Sequence, residues 1–291
     1  MKLQVFIHTN NKQMLGALLS KYSIIKNSNT LNQQDINIIN IDDNKFINTN
    51  KDYEILKNNK IYYWKKNDLQ SFTLLRFFPP KIMHHTDFSL VIDPDVFAVN
   101  NIDEYLNFNL ENFDIAACRN NNNKKAIYSS VIFYNNERIK KFQLEKLAYK
   151  VLDKRFDYKS LMHLDFLDFD RILFLDNIWN SFDEINDNTV FLHLTNRVTQ
   201  PWKTGLKIDF HQDFPKYKFK IIPYYMFQYL KEIIYNKKFP PYKYYLKHPN
   251  NKINKFFYNL LNEAIKDKFI SEEFINNQIH NNYVRNDILK F

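Results

Sequence analysis

The chain has 291 residues, a formal net charge of +9 and 25% charged residues, enough for one large domain with an appended segment. Its single cysteine, Cys118, excludes an internal disulfide. No stretch approaches the roughly 18 to 20 apolar residues that span a bilayer, and the apolar start is too short for a signal peptide. We therefore expect a cytoplasmic protein, with peripheral contact at the inner face of a membrane left open.

Apolar periodicity predicts strands that alternate with helices over the first two thirds of the chain. The predicted strands are 2–9, 36–42, 88–93, 114–118, 128–135 and 189–195, and the predicted helices are 14–25, 69–78 and 136–152. Pro79 and Pro80 end the second of these helices. The alternation indicates an α/β domain with a mostly parallel sheet flanked by helices, which binds ligands at the carboxyl ends of its strands.

A Lys- and Tyr-rich sequence begins near residue 213 and predicts a second region. We place the α/β domain, which is the expected site of function, at 1–215 and a basic, aromatic-rich, mainly helical C-terminal extension at 216–291. Two interpretations fit the extension. Its aromatic side chains pack on the first domain, or its lysines and aromatic rings lie on an anionic membrane surface.

The positive charge also suits a basic, aromatic-rich nucleic-acid-binding protein without catalysis. Interleaved lysines and tyrosines would contact phosphates and stack on bases. This alternative accounts for the charge but not for the carboxylates that follow a buried strand. Nucleic acid is therefore not the expected partner.

Two carboxylates, Asp93 and Asp95, follow the predicted strand 88–93 with Pro94 between them. Neighbouring carboxylates repel each other unless a cation or a proton intervenes. Residues i and i+2 of an extended backbone point to the same side, and the proline restricts the geometry further. Mg²⁺ and similar cations take carboxylate oxygens together with substrate phosphates. The segment predicts a metal–diphosphate site, against the alternative of a strand-end turn whose acids face water.

A phosphatase motif of the haloacid-dehalogenase type has the same local appearance, an apolar strand followed by D-x-D-x-T/V. Its first aspartate is a nucleophile, and its fifth position is threonine or valine where this chain has Phe97. That motif usually opens a chain, whereas this one lies at residue 93. The metal–diphosphate interpretation is therefore preferred.

Four segments, in order along the chain, carry further motifs. They are L-L-R-F-F-P-P-K-I with L-V-I-D-P-D-V-F-A-V-N-N-I-D-E-Y-L, then Y-S-S-V-I-F-Y-N, F-L-D-N-I-W-N and L-H-L-T-N-R-V-T-Q-P-W-K. Together they resemble the family-8 glycosyltransferases, a group of the GT-A (Rossmann-like) fold that includes glycogenin and bacterial lipopolysaccharide galactosyltransferases. The alternative within the same fold is a GT-A enzyme of another family.

The resemblance implies a fold, a reaction and its partners. The reaction is metal-dependent transfer of a hexose from a nucleoside-diphosphate sugar, with a UDP-sugar as the expected donor and retention of anomeric configuration. The acceptor would be a hydroxyl of a glycan or a lipid-linked glycan, and the cofactor Mn²⁺ or Mg²⁺.

The resemblance also assigns roles to residues of this chain. The implied metal ligands are Asp93, Asp95 and His193. The residues that match donor-binding positions are His8, Thr9, Asn10, Arg76 and Asp93. The first three match the loop that holds the nucleotide base, and Arg76 matches an arginine that contacts the nucleotide-sugar.

The chain departs from the family pattern in its sugar-reading and phosphate-binding motifs. Tyr128–Val131 stands where the family has N-A-G-V, and Gln200 stands where it has a lysine that neutralises phosphate. We expect Lys203 or Arg197 to supply this cation. The family's D-Q-D element has no clean match, and L-M-H-L-D-F-L-D-F-D occupies its place. Asp165 and Asp168 are therefore the candidate sugar-binding acids, and with Lys203 the candidate catalytic residues.

Overall fold

The structure is a computed structural model. It describes residues 3–43, 47, 51–65, 68–79, 87–121, 126–210, 212, 230–234 and 241–291. The predicted boundary between 215 and 216 lies outside these residues, as do Pro80 and most of the Lys- and Tyr-rich segment.

A six-stranded sheet forms the centre of the fold. In spatial order its strands are β2 (Ile36–Asn40), β1 (Leu3–Thr9), β5 (Phe88–Ile92), β8 (Ile127–Asn135), β7 (Ile115–Arg119) and β9 (Ile172–Leu175). The pairs β1–β2, β1–β5 and β7–β9 are parallel, and β8 runs antiparallel to both of its neighbours. The predicted α/β fold with a mostly parallel sheet is therefore confirmed.

A second, three-stranded sheet lies beyond the carboxyl end of β5. It consists of β10 (Ser181–Phe182), β11 (Phe191–His193) and β6 (Val96–Ala98), with β11 parallel to β10 and antiparallel to β6. The sequence predicted β11 but not β6 or β10. The prediction of β11 rested on the longer apolar run 189–195, whereas β6 and β10 are two or three residues long and lie in no such run of their own.

A hairpin of β3 (Tyr53–Lys57) and β4 (Lys60–Trp64) was also not predicted, nor was β9. The hairpin turns through Asn58 and Asn59, both left-handed with φ of 53° and 57°. Asparagine tolerates this conformation, and two such residues make the tight turn that suits a two-residue hairpin.

The helices flank the central sheet or lie C-terminal to it. Those whose bounds lie within the described residues are α1 (Met14–Lys26), α2 (Asn136–Ile139), α3 (Leu144–Leu152), α4 (Tyr158–His163), α5 (Asn251–Lys266) and α6 (Glu272–His280). The predicted helix 136–152 is interrupted, because Gln143 adopts a left-handed φ of 48° between two helical segments. Its two ends are helical, and the continuous helix was wrong.

The predicted helix 69–78 is also different in the structure. Only Thr73–Phe77 is helical, and it is a 3₁₀ helix with side chains buried on all sides. Its backbone N–H groups bond three residues back, as from Leu75 to Phe72 at 2.9 Å. Burial all round removes the single apolar face on which the helical prediction rested.

The described C-terminal residues share a core with the first helix. Leu15 and Leu19 of α1 cluster with Trp202, Phe257 and Leu261. The hydroxyl of Tyr22 also donates to Asp267 at 2.6 Å. The described C-terminal helices therefore pack on α1, and the catalytic role of the first domain and the membrane contact stay predictions. Among the residues the structure describes, no helix has the length and apolar character needed to cross a bilayer.

Candidate active site

The three predicted metal ligands lie together at the carboxyl end of β5. Asp93 and Asp95 occupy the turn between β5 and β6, and the β6–β11 pairing places His193 opposite Val96. The backbone N–H of Leu194 donates to the carbonyl oxygen of Asp95 at 3.0 Å, which fixes this register. One potential ligand atom from each of Asp93, Asp95 and His193 lies within 4.8 Å of the others.

Asp93 is held by two cationic or donor groups on one of its oxygens. A guanidinium nitrogen of Arg76 and Nε2 of His8 each lie 2.7 Å from Oδ1. Burial alone would raise the pKa of this carboxyl, but Arg76 and His8 lower it to about 2. Asp93 is therefore ionised at neutral pH, and within the described part of the chain the contacts of its side chain are made by Oδ1.

His193 is oriented by Asn180. Its Nδ1 lies 2.9 Å from Oδ1 of Asn180, whose Nδ2 donates to the hydroxyl of Ser130 at 2.9 Å. Since the amide nitrogen serves Ser130, the amide oxygen accepts the proton of Nδ1. The other ring nitrogen, Nε2, lies 3.5 Å from Oδ1 of Asp95 and carries the lone pair of the neutral ring. Burial lowers the pKa of His193, but Asp95 and Asp93 raise it by more, so the net shift is upward.

Asp95 is held by a chain of two glutamines. Nε2 of Gln200 donates to Oδ2 of Asp95 at 3.2 Å, and Oε1 of Gln200 accepts from Nε2 of Gln13 at 2.9 Å. Both glutamines are buried. Gln200, which stands where the family-8 pattern has a lysine, therefore positions the predicted metal ligand Asp95.

Gly16 allows α1 to approach the turn between the two aspartates. A Cβ at this position would lie 2.6 Å from the carbonyl oxygen of Pro94 and 3.3 Å from the ring of Trp202. The first distance is shorter than a carbon–oxygen contact permits. One of only two glycines in the chain thus lies where the backbone of the predicted metal motif packs on a helix.

The donor set fits a divalent cation. Two carboxylates and an imidazole whose Nδ1 is already bonded are the oxygen and nitrogen ligands that Mn²⁺ accepts, and each ligand has an outer partner that fixes its orientation. The side chains of Asp93 and Asp95 are both 14% exposed, so a cation could reach them from solvent.

A cavity of about 120 Å³ opens onto this group. It is lined by Gln13, Leu69, Gln70, Phe72, Asp93, Asp95, His193, Thr195, Arg197 and Gln200. Arg197 is thus the predicted cation that borders the cavity, and its guanidinium also packs 4.9 Å from the ring centre of Phe210.

Lys203, the other expected cation, lies elsewhere. It is fully buried, with Nζ 3.6 Å from Asp209 and 5.4 Å from the ring centre of Tyr245, and it does not line the cavity. Burial lowers the pKa of Lys203 to about 8, partly offset by Asp209. The structure therefore separates two residues that the sequence treated as alternatives.

The residues of the predicted base-binding loop, His8, Thr9 and Asn10, are buried and contact other residues of the chain. Nε2 of His8 lies 2.7 Å from Oδ1 of Asp93, and the hydroxyl of Thr9 donates to the carbonyl oxygen of Asn10. Asn10 donates to the carbonyl oxygens of Asp68 and Leu69, both at 3.2 Å, and to Ser71. Asn10 thereby fixes the loop that carries three cavity residues, Leu69, Gln70 and Phe72. Neither it nor His8 or Thr9 lines the cavity itself.

The remaining predicted residues are placed as follows. Arg76 is buried against Asp93 and the hydroxyl of Ser129, outside the cavity lining. Asp165 and Asp168 are exposed, near the end of α4, and do not line the cavity. Their role as sugar-binding acids stays a prediction.

Sequence reasoning missed the residues that orient the ligands. Asn180 lies in the W-N pair of a quoted motif and Gln200 was noted as a replacement, so the signals were present without a role attached. Thr195 also lies in such a motif, two residues after His193, whereas Gln13 gave no signal because it reaches the site only through the packing of α1.

Comparison with known proteins gives structural similarity only. No protein-family description matches the chain, and no curated protein matches it by sequence. The solved structures that resemble it include the bifunctional glycosyltransferase WbbM, with 14% identity, a TM-score of 0.47, and coverage of 69% of this chain and 47% of that one. The galactosyltransferase LgtC has 10% identity and a TM-score of 0.48, over 68% of this chain and 89% of that one. The glycosyltransferase GlyE of Streptococcus pneumoniae has 13% identity and a TM-score of 0.48, over 69% of this chain and 56% of that one. The chain spans about half the length of the first of these structures.

Proposed function

We propose that the protein is a metal-dependent glycosyltransferase that uses a nucleoside-diphosphate sugar. The observation that carries the proposal is the convergence of Asp93, Asp95 and His193, with ligand atoms within 4.8 Å of one another beside a cavity. In these enzymes a divalent cation, Mn²⁺ or Mg²⁺, neutralises the diphosphate that leaves the sugar. The fold supports this use, since ligands of open α/β sheets bind at the carboxyl ends of the strands.

The residues around the ligands supply orientation before any substrate binds. Arg76 and His8 keep Asp93 ionised, Gln200 fixes Asp95, and Asn180 fixes the ring of His193. Preorganised groups stabilise developing charge more than mobile ones because they need not reorganise during the reaction.

Arg197 is the residue that would stabilise the negative charge on the departing diphosphate. Departure of the diphosphate places growing negative charge beside the cavity, and Arg197 is the arginine that lines it. A guanidinium can bond two phosphate oxygens at once, and such a contact lowers the barrier if it is stronger in the transition state. The lysine that the sequence offered as a substitute is enclosed with Asp209.

The size of the cavity bears on how the donor would lie. About 120 Å³ suits a cation with part of a diphosphate but is smaller than the roughly 300 Å³ or more of a drug-sized ligand site. The sugar and the base would therefore lie beyond it. From the resemblance, we expect a hexose, a uridine base, a glycan or lipid-linked acceptor and retention of configuration.

A hydrolysis panel tests the proposal. Purified protein is incubated with Mn²⁺ and each of several UDP-, GDP- and ADP-sugars. The nucleoside diphosphate that is released (UDP, GDP or ADP) is then measured. We expect slow hydrolysis of one class that stops on chelation and in Asp95→Ala, whose fold is verified by circular dichroism. Hydrolysis that persists in chelator, or full activity of Asp95→Ala with added Mn²⁺, would contradict the assignment.

A further inference from the structure

Asp183 holds the turn that carries His193. Its backbone N–H donates to the carbonyl oxygen of His193 at 3.0 Å, and its Oδ2 accepts from the hydroxyl of Thr195 at 2.5 Å. Asp183 adopts a left-handed φ of 52°, which aspartate tolerates better than most residues. Because Thr195 lines the cavity, one aspartate fixes both a ligand's backbone and a wall residue.

His248, in the C-terminal segment, fixes the other oxygen of Asp183. Nδ1 of the buried His248 ring accepts from the backbone N–H of Asn250 at 3.1 Å. A nitrogen that accepts a backbone proton carries none of its own, so Nε2 carries the proton of the neutral ring. Nε2 lies 3.2 Å from Oδ1 of Asp183 and therefore donates to it. Both oxygens of this carboxylate are thus occupied from different parts of the chain.

The residues just before His248 are bonded to the same side of the site. Leu246 donates from its backbone N–H to Val198 at 2.8 Å, and Tyr245 donates to Leu206 at 2.9 Å. Val198 is the neighbour of Arg197, the cationic wall residue. The segment 241–248 is therefore part of the scaffold around the cavity rather than a tail beside it.

We infer that His248 is a positioning residue for the metal site, acting through Asp183 on His193 and Thr195. The inference goes beyond the proposed function and rests on it only for the metal-binding readout. A competing explanation is that the ring merely accepts the N–H of Asn250, beside the start of α5. The two ring nitrogens serve the two roles separately, so substitutions that keep one contact and remove the other distinguish them.

The test compares His248→Gln with His248→Asn. The glutamine amide reaches the position of Nε2 and can donate to Asp183, whereas the asparagine amide reaches only the position of Nδ1 and can accept from Asn250. We expect His248→Asn to weaken Mn²⁺ binding about tenfold in the presence of UDP, by electron paramagnetic resonance titration. His248→Gln should stay within about twofold of the parent. Equal affinities in all three proteins, or equal losses in both variants, would overturn the inference.

Hydrogen exchange makes the test independent of the metal. In metal-free protein, the amides of residues 193–196 should exchange faster in His248→Asn than in His248→Gln or the parent. The exposed His280, changed to glutamine, is the matched control and should match the parent in both measurements. If the parent binds no Mn²⁺, the proposed function fails, while exchange still decides the positioning role. Unchanged exchange in His248→Asn would overturn it.

Discussion

Oδ1 of Asn180 lies 2.9 Å from Nδ1 of His193, and this contact decides which ring nitrogen faces Asp95. With Nδ1 bonded, Nε2 is left for a cation. Outer contacts of this kind fix both the tautomer and the direction of a histidine ligand. The orientation of the site therefore depends on a residue that touches neither carboxylate.

Replacing Asn180 tests that dependence. Asn180→Leu removes the acceptor and leaves the buried His193 Nδ1–H and the Ser130 hydroxyl without this partner. We expect Mn²⁺ affinity to fall by about 10- to 100-fold and the unfolding free energy to fall by about 1 to 3 kcal/mol. Asn180→Asp keeps an acceptor for both groups and should retain the affinity. Isothermal titration would count against the contact if the leucine variant bound Mn²⁺ as tightly as the aspartate variant.

Gly16→Ala should displace the turn that carries Asp93 and Asp95, because α1 packs against Pro94 at this position. Alanine favours a helix over glycine by about 0.5 to 1 kcal/mol, but its Cβ would lie 2.6 Å from the carbonyl oxygen of Pro94. The turn must then move, and we expect a loss of roughly tenfold in Mn²⁺ affinity.

Gly205→Ala is the matched control for Gly16→Ala. Gly205 has open space around its Cα but a left-handed φ of 87°. Alanine there should lower the unfolding free energy by about 1 kcal/mol and leave Mn²⁺ affinity unchanged. Equal Mn²⁺ affinities in the two variants would show that the contact with Pro94 does not matter.

Arg197→Met should lower kcat/KM for donor hydrolysis by roughly 10²- to 10³-fold, the usual effect of removing one charge-stabilising group. Its melting temperature should change little, because the guanidinium borders the cavity. The exposed Lys207, changed to methionine, removes the same charge nearby and should keep the parent's rate. Steady-state kinetics with equal losses in both variants would point to a general effect of net charge.

Lys203 gives a prediction about pH and stability. Burial lowers its pKa in the folded protein to about 8, from an ordinary value of 10.5. Between these values the unfolded chain holds a proton that the folded chain has lost, so the unfolding free energy rises with pH. The contribution is largest above 10.5 and is lost as pH falls towards 8.

Urea unfolding between pH 7.5 and 9.5 measures this slope. One proton corresponds to at most about 1.4 kcal/mol per pH unit. Lys203→Met cannot titrate, so the difference in unfolding free energy between parent and variant should change with pH in this interval. A difference that stays constant would mean that Lys203 keeps its ordinary pKa and is hydrated.

The sequence predicted the parts of the fold that depend on local pattern. The strands β1, β5 and β8 and the helix α1 are runs long enough to show a period, and all four lie within a residue or so of the predicted bounds. The resemblance implied that Asp93, Asp95 and His193 bind one metal, and the antiparallel pairing of β6 with β11 brings the three side chains together.

Features that depend on long-range packing did not follow from the sequence. Lys203 stands three residues after Gln200, yet its 3₁₀ turn directs it to Asp209 and Tyr245 rather than to the cavity. His248 reaches Asp183 across 65 positions. Neither contact produces a periodic pattern in the sequence. Each forms only when the C-terminal segment that carries Tyr245 and His248 is packed in place.

The central claim is that Asp93, Asp95 and His193 bind one divalent cation together. Crystals grown with Mn²⁺ and UDP, measured at the manganese absorption edge, test it directly. We predict one anomalous peak in contact with all three side chains, and its loss in Asp95→Ala crystals. Crystals that hold UDP but show no peak at these residues, or a peak bound elsewhere on the chain, would contradict the account.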